Sequence, residues 1–158
     1  MEEGIRTPAK ISDKDYDAIS DLLVKLFREI MDIEEKAIIT EEFKDISNND
    51  MHIIEAIGIN RERSMSDVAR DMDVTVGTMT IAINNLVKKA YVKRARSEKD
   101  RRVVLISLTP RGVKAYKHHK RFHDEMIQAT LEGVGQDEAD ILVKALENLR
   151  EFFINYGN

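Results

Sequence analysis

Apolar side chains recur every three or four positions near both ends of the chain. This spacing predicts a long amphipathic helix over 13–36 and another over 136–156. Thr109 and Pro110 suit the N-cap and first position of a further helix that reaches about Leu131. The wide apolar stripes at both ends predict surfaces that pack on each other and on a second subunit.

Shorter elements fill the middle of the chain. Two signatures in which Ser precedes Asp by three residues predict helix starts at Ser47 and near Ser64. A further helix begins at Thr75 and reaches about Ala90. Only residues 73–74 separate the last two helices, so the pattern predicts a helix-turn-helix. The apolar stripe of the Thr75 helix comprises Val76, Met79, Ile83, Leu86, Val87 and Ala90.

The hydrophobic pattern changes after this helix. The change of period over 91–96 and 103–108, together with β-branched content that is highest in the second segment, predicts two short strands joined by a polar, charged loop. The predicted fold is mostly α with a small β-hairpin wing. It places a winged helix-turn-helix at 47–109 and dimerisation helices at 1–36 and 110–158.

Composition agrees with a globular cytoplasmic protein. The 158 residues are 42% hydrophobic and 34% charged, with no cysteine, which fits a reducing compartment. No apolar run is long enough for a transmembrane helix, and the polar first ten residues do not resemble a secretory signal.

The net charge of −4 conceals an asymmetry along the chain. Between Arg61 and Arg102 there are eleven basic and six acidic residues, a net charge of +5, so the remaining residues carry −9. A basic middle between acidic flanks predicts a surface that binds a polyanion.

The side of the Thr75 helix opposite its apolar stripe carries hydroxyl and amide groups and no acid. Asn and Thr read base edges in a major groove, and Ile81 can touch a thymine methyl group. Gly77, near the helix N-terminus, lets the backbone approach a phosphate. An ordinary amphipathic helix with a neutral outer face is the alternative. The candidate DNA-binding residues of the helix-turn-helix are Ser66, Thr75, Gly77, Thr78, Thr80, Ile81, Asn84, Asn85 and Lys88.

Basic residues cluster in and around the predicted hairpin. Positive charge at a hairpin tip neutralises phosphates, and arginine enters a narrow minor groove. A solvated hairpin, with Asp100 and Arg102 as an exposed ion pair, is the alternative. The candidate wing residues are Arg94, Arg96, Ser97, Lys99, Asp100, Arg101 and Arg102.

Four stretches, 66–69, 74–80, 86–92 and 100–112, resemble the MarR family of bacterial regulators. The last stretch is similar to that family's wing signature, Asp-x-Arg followed by Leu-Thr-x-x-Gly. Ala90 departs from the pattern, because glycine is more usual there. The resemblance implies a homodimer that binds palindromic DNA operators and responds to small ligands.

A narrower resemblance links 43–47, 51–52, 96–104 and 122–126 to the branch that represses fatty-acid-biosynthesis genes. It implies a long-chain acyl group on acyl carrier protein as corepressor, with no other cofactor, and an apolar tunnel between helices. The alternative is that the same apolar residues are simply core. The candidate ligand-pocket residues are Leu23, Phe27, Ile30, Met31, His52, Ile54, His119, His123 and Met126.

Other function classes are less well supported. His119 and His123 are four residues apart and could share a helix face for a metal ion, or line a dimer cleft, but no recognisable ligand set completes them, so no metal site is predicted. No phosphate loop, zinc-protease pair or nucleophile elbow is present, so no enzyme is expected. A regulator of another ligand, or an interaction dimer without DNA binding, remains open.

Overall fold

The computed structural model describes residues 11–38, 40 and 42–156. The outer ends of the predicted dimerisation segments, 1–10 and 157–158, lie outside these residues. Within them the elements are α1 (Asp13–Ile38), α2 (Asn48–Ile57), β1 (Arg63–Ser64), α3 (Met65–Asp71), α4 (Val76–Lys88), β2 (Val92–Arg96), β3 (Val104–Leu108), α5 (Pro110–Thr130) and α6 (Gln136–Tyr156).

Side-chain caps fix where the central helices begin. Ser47 accepts a hydrogen bond from the Asp50 backbone N–H at 3.1 Å, and the Asp50 carboxylate accepts one from the Ser47 N–H at 3.2 Å. Ser64 accepts from the Asp67 N–H in the same way before α3. These bonds satisfy amide groups that have no partner inside the helix. The predicted capping signatures are therefore confirmed.

The sheet has three antiparallel strands in the order β1–β3–β2. The predicted hairpin is confirmed, with Val92 opposite Leu108 and Arg96 opposite Val104. The sequence prediction omitted β1, which pairs with β3 through Arg63 opposite Ile106. A strand of two residues has no periodicity to detect, so only the long-range pairing defines it.

Among the described residues, one apolar core joins α2, α3, α4 and the sheet. Met79, Ile83 and Leu86 of the predicted α4 stripe are buried in it. Val76 is 48% exposed and Ala90 is also exposed, so the prediction was wrong for both ends of the stripe. Val76 is the first residue of α4, and Ala90 lies beyond its last turn, where the helical spacing no longer applies.

Helix α4 is followed at Ala90 by a left-handed turn that is closed by two backbone hydrogen bonds. Ala90 has a φ of +63°, and the N–H groups of Ala90 and Tyr91 return to the carbonyls of Val87 and Leu86. This is a Schellman motif, which glycine fits better than alanine.

The carbonyl groups that follow are bound by residues of the Leu-Thr-x-x-Gly signature. The Thr109 hydroxyl donates to the Ala90 carbonyl at 2.5 Å, and the Thr109 N–H donates to the Tyr91 carbonyl at 3.0 Å. Arg111 donates to the Lys89 carbonyl at 2.8 Å. A Cβ at Gly112 would overlap the Tyr91 carbonyl oxygen, so the close approach requires glycine.

The chain divides into two compact units between Tyr116 and Lys117. In the second unit α6 buries none of its residues, and Ile141, Leu146 and Phe152 are each more than half exposed. In the first unit α1 likewise exposes Leu22 and Phe27. None of the described helices is both long enough and apolar enough to cross a membrane.

Candidate nucleic-acid interface

The outward face of α4 carries the predicted reading residues. Gly77, Ile81, Asn85 and Lys88 are exposed, at intervals of three or four residues that place them along one side of the helix. Ile81 is 67% exposed, whereas Ile83 on the opposite side of the same helix is fully buried. The face has no acidic group, so it does not repel a phosphate backbone. Its shape and chemistry suit the major groove of DNA.

Three of the predicted reading hydroxyls also hold α4 together. Thr75 is the N-cap and accepts from the Thr78 N–H at 3.1 Å, while the two hydroxyl oxygens lie 2.9 Å apart. Thr80 donates to the Val76 carbonyl at 2.7 Å. Ser66, on α3, is exposed and lines a cleft of about 370 Å³ together with Thr80 and the wing.

One side chain of the wing reaches this face directly. The Arg94 guanidinium on β2 donates to the Asn84 Oδ1 at 2.6 Å. The sequence prediction treated the two residues as independent contacts to DNA. Because they are ten positions apart and lie on different elements, no local pattern could have revealed the bond.

The tip of the wing is held in one conformation by its own hydrogen bonds. The Ser97 hydroxyl accepts from the N–H groups of Lys99 and Asp100. The Asp100 carboxylate accepts from both the backbone and the guanidinium of Arg102, and these bonds hold the pKa of Asp100 below its usual value. Arg96 donates to the Arg101 carbonyl at 3.1 Å. The Arg102 side chain is 92% exposed, so the ion pair with Asp100 that the solvated-hairpin alternative describes is present, and the Arg102 side chain is also accessible to a ligand from solvent.

Ten of the eleven basic residues of the middle segment fall into two groups, and the eleventh, Arg70, pairs with Asp67 on α3 at 2.8 Å. Arg61 and Arg63 donate to carbonyls at the end of α2, at 2.7 and 2.8 Å, and Lys89 pairs with the buried carboxylate of Asp50 at 2.9 Å. These three cations support the fold, which the net charge of the segment could not show. The exposed cations on α4 and the hairpin are Lys88, Lys93, Arg94, Arg96, Lys99, Arg101 and Arg102.

A buried tyrosine supports the interface from behind. The Tyr91 hydroxyl donates to Asp45 at 2.7 Å, and Arg111 donates to the same oxygen at 3.1 Å while stacking on the Tyr91 ring at 4.3 Å. Burial, followed by the bond to Asp45, raises the pKa of Tyr91 well above its usual value. Burial raises the pKa of Asp45, but Tyr91 and Arg111 together bring it below its usual value. The network ties the segment before α2 to the base of the wing.

The predicted ligand-pocket residues differ in their surroundings. Ile54 is fully buried in the core of the winged helix-turn-helix, whereas Phe27, Ile30 and Met31 on α1 are at least 42% exposed. The remaining members are Leu23 and Met126, which are half-buried; His52, whose Nε2 lies 3.6 Å from a carboxylate oxygen of Glu34; and His119 and His123, whose Nε2 atoms lie 3.2 Å apart. A shared pocket for these residues stays a prediction.

Comparison with known proteins gives the family. The model of the transcriptional regulators SarA/Rot matches residues 31–119, which is more than half of the chain and includes the whole helix-turn-helix and wing. The chain belongs to this family. It is a transcriptional regulator with a winged-helix fold of the MarR type, so both the predicted fold and the predicted family resemblance are confirmed.

Individual relatives agree with the assignment. The SarA/Rot-type chain is 38% identical to FabT of Streptococcus pneumoniae, solved in complex with DNA, with a TM-score of 0.79 and coverage of 89% of this chain and 99% of FabT. It is 29% identical to the transcriptional regulator SarZ of Staphylococcus haemolyticus over 66% of this chain and 70% of SarZ. A MepR variant of Staphylococcus aureus, 21% identical over 85% of this chain and 97% of MepR, has a TM-score of 0.61 and shows the shared fold.

Proposed function

We propose that this SarA/Rot-type regulator is a sequence-specific DNA-binding repressor that binds a palindromic operator as a homodimer. The observation that carries the proposal is the pairing of an acid-free, exposed face on α4 with an ordered cationic wing. The solved complex of FabT with DNA, at 38% identity, supports it.

The two parts of the interface have different tasks. The face of α4, centred on Ile81, contacts base edges and sets the sequence preference. Arg101 and Arg102, exposed at the wing tip, neutralise phosphates and set affinity and salt dependence.

The homodimer rests on the exposed apolar faces of α1 and α6. Side chains such as Leu22 and Phe152 are 56% exposed in the single chain, which is costly in water unless another surface covers them. A second copy, joined through 1–36 and 110–158, covers them. The two α4 helices then lie about one DNA turn, roughly 34–36 Å, apart.

The DNA proposal is tested by replacing Arg101 and Arg102 with alanine. Each phosphate that the variant no longer neutralises reduces the log–log salt slope of binding by about 0.9, and in a homodimer every substitution acts at two phosphates. Lys144→Ala with Arg150→Ala removes the same charge from α6 and should leave the slope unchanged. Unchanged affinity and slope in the wing variant would refute the wing assignment. If the unmodified protein selects no DNA from a random pool, the interaction-dimer alternative replaces the proposal.

The regulated genes are those of fatty-acid biosynthesis, and the corepressor is a long-chain acyl group on acyl carrier protein. The motif resemblance at 43–47, 96–104 and 122–126 and the match to FabT support this part of the proposal. Operator affinity is measured with acyl carrier protein loaded with chains of increasing length, and with the unloaded carrier as control. Only long chains should tighten binding.

A regulator of another ligand or a metal is the second candidate. The close approach of the His119 and His123 Nε2 atoms favours it. It replaces the acyl proposal if no chain length alters operator binding while a divalent metal ion does.

A further inference from the structure

The bond between Arg94 and Asn84 joins the wing to the outward side of α4. Asn84 follows Ile81 by three residues and precedes Lys88 by four, so it belongs to the side of α4 assigned to the major groove. We propose that Arg94 is a positioning residue that turns the Asn84 carboxamide so that it presents only N–H donors to DNA, which makes Asn84 a reader of guanine. This inference rests on the proposed DNA binding.

The chemistry of the pair fixes the orientation of the amide. A guanidinium group has five N–H donors and no acceptor, so its partner at 2.6 Å must be the oxygen of the carboxamide. An amide held in this way has its oxygen towards the wing and its Nδ2 group directed away from it. An asparagine without such a partner can rotate and present either atom.

This orientation changes which base the residue recognises. The usual pairing of asparagine with adenine needs both amide atoms, with the oxygen accepting from N6 and the nitrogen donating to N7. When Arg94 occupies Oδ1, the N–H donors remain, and guanine offers two acceptors, N7 and O6, in the major groove. Thymine offers one acceptor, O4, and cytosine presents a donor.

The neighbouring side chains leave Asn84 as the residue on this flank whose N–H donors are available to DNA. The neighbouring Thr80 hydroxyl donates to the Val76 carbonyl at 2.7 Å, so its proton is used within α4. Arg102, which lines the same cleft, is held by Asp100. Arg94 is exposed, and replacing it opens no cavity in the core.

The experiment is selection of bound DNA by the full-length protein, followed by affinities for single-base variants of the selected operator. Asn84→Ala identifies the base pair that Asn84 reads, as the position where discrimination falls by about tenfold. We expect guanine there in the unmodified protein. Arg94→Met should relax the preference at that same position, and adding it to Asn84→Ala should cause no further loss of discrimination.

Two variants separate positioning from charge. Arg94→Gln keeps an N–H donor for Asn84 without a charge, so it should retain the guanine preference even though it can no longer neutralise a phosphate. Lys93→Ala removes an exposed cation from the next position of β2 and should leave the preference unchanged. Thermal unfolding confirms that each variant is folded.

Two results would overturn the inference. One is adenine at the Asn84 position; the other is an Arg94→Met protein that binds all sequences more weakly by the same factor, with a lower salt slope, as a simple phosphate contact would. Failure of the proposed function is a different result, since the unmodified protein would then select no sequence.

Discussion

The winged helix-turn-helix and the last helix both carry apolar stripes at helical spacing, yet they place them differently. In α4 the stripe is turned inward, and Ile83 and Leu86 are fully buried. In α6 the stripe is turned outward, and Leu146 is 54% exposed. The same sequence pattern therefore marks a core in one region and, in the other, an exposed apolar surface that we propose a second copy covers.

The largest expected effect tests this difference directly. Leu86→Ala should reduce the free energy of unfolding by about 3–4 kcal/mol, because it leaves a cavity in a closed core. Leu146→Ala should act through the dimer, so that its effect depends on protein concentration. Urea unfolding at two concentrations, with sedimentation for the oligomeric state, separates the two. An equal decrease in the free energy of unfolding for both variants at every protein concentration would contradict the assignment of Leu86 to a core and of Leu146 to a dimer surface.

The junction between α4 and α5 should be the next most sensitive place. In Gly112→Ala the new methyl group would overlap the Tyr91 carbonyl oxygen, and the backbone would have to move. We expect a loss of about 2–3 kcal/mol, as for other overpacked sites. Gly135→Ala is the matched control, because its Cβ would meet only a Glu138 carboxylate oxygen at 3.6 Å. Denaturant unfolding of both variants measures the difference in their free energies of unfolding. Similar small decreases in both would show that the backbone at the junction can move to accommodate the methyl group.

The Tyr91 network should give a smaller effect. Tyr91→Phe removes the bond to Asp45 and should lower the free energy of unfolding by about 1 kcal/mol, as measured by urea unfolding at pH 7.

The same network should make stability depend on pH. Because the pKa of Asp45 is lower in the folded than in the unfolded chain, the contribution of Asp45 to the free energy of unfolding is present above about pH 4 and is lost as the pH falls through the folded pKa. Asp45→Asn should therefore have a lower free energy of unfolding than the unmodified protein at pH 7, and the two values should converge in acid. Unfolding curves from pH 2 to 7 test this, and a constant difference would refute it.

The smallest expected effect is a gain. Ala90 has a φ of +63°, which costs a side-chain-bearing residue about 1–2 kcal/mol, and glycine recovers part of this at an entropic cost. Ala90→Gly should stabilise the protein by about 0.5–1 kcal/mol, seen as a higher melting temperature. Ala145→Gly, inside α6, should instead destabilise by a similar amount.

Local signals in the sequence predicted most of the fold. Ser47, Ser64, Thr75 and Thr109 marked the helix starts because a cap needs only neighbours along the chain. The strand β1 and the exposure of Val76 were missed, since both depend on what the segment meets in space.

The sequence likewise predicted part of the candidate interface. The residue types on α4 and the wing follow from the sequence, but their mutual bonds do not. Arg94 meets Asn84 across two elements, and Tyr91 meets Asp45 across 46 positions. Neither pair has a sequence spacing that would reveal it, and a sum of charges cannot separate Arg63, which caps α2, from Arg101 at the wing tip.

The bond from the Thr109 N–H to the Tyr91 carbonyl has a consequence for how such regulators diverge. The chain leaves the helix scaffold at Tyr91 and returns to it at Thr109, so the hairpin between them is a closed excursion. Residues added or removed near Lys99 would lengthen or shorten that excursion without moving the ends of α4 or α5. The tip of the wing can thus vary in length, while the pairing of β3 with β1 and the buried side chains of the strands keep the base of the hairpin in place.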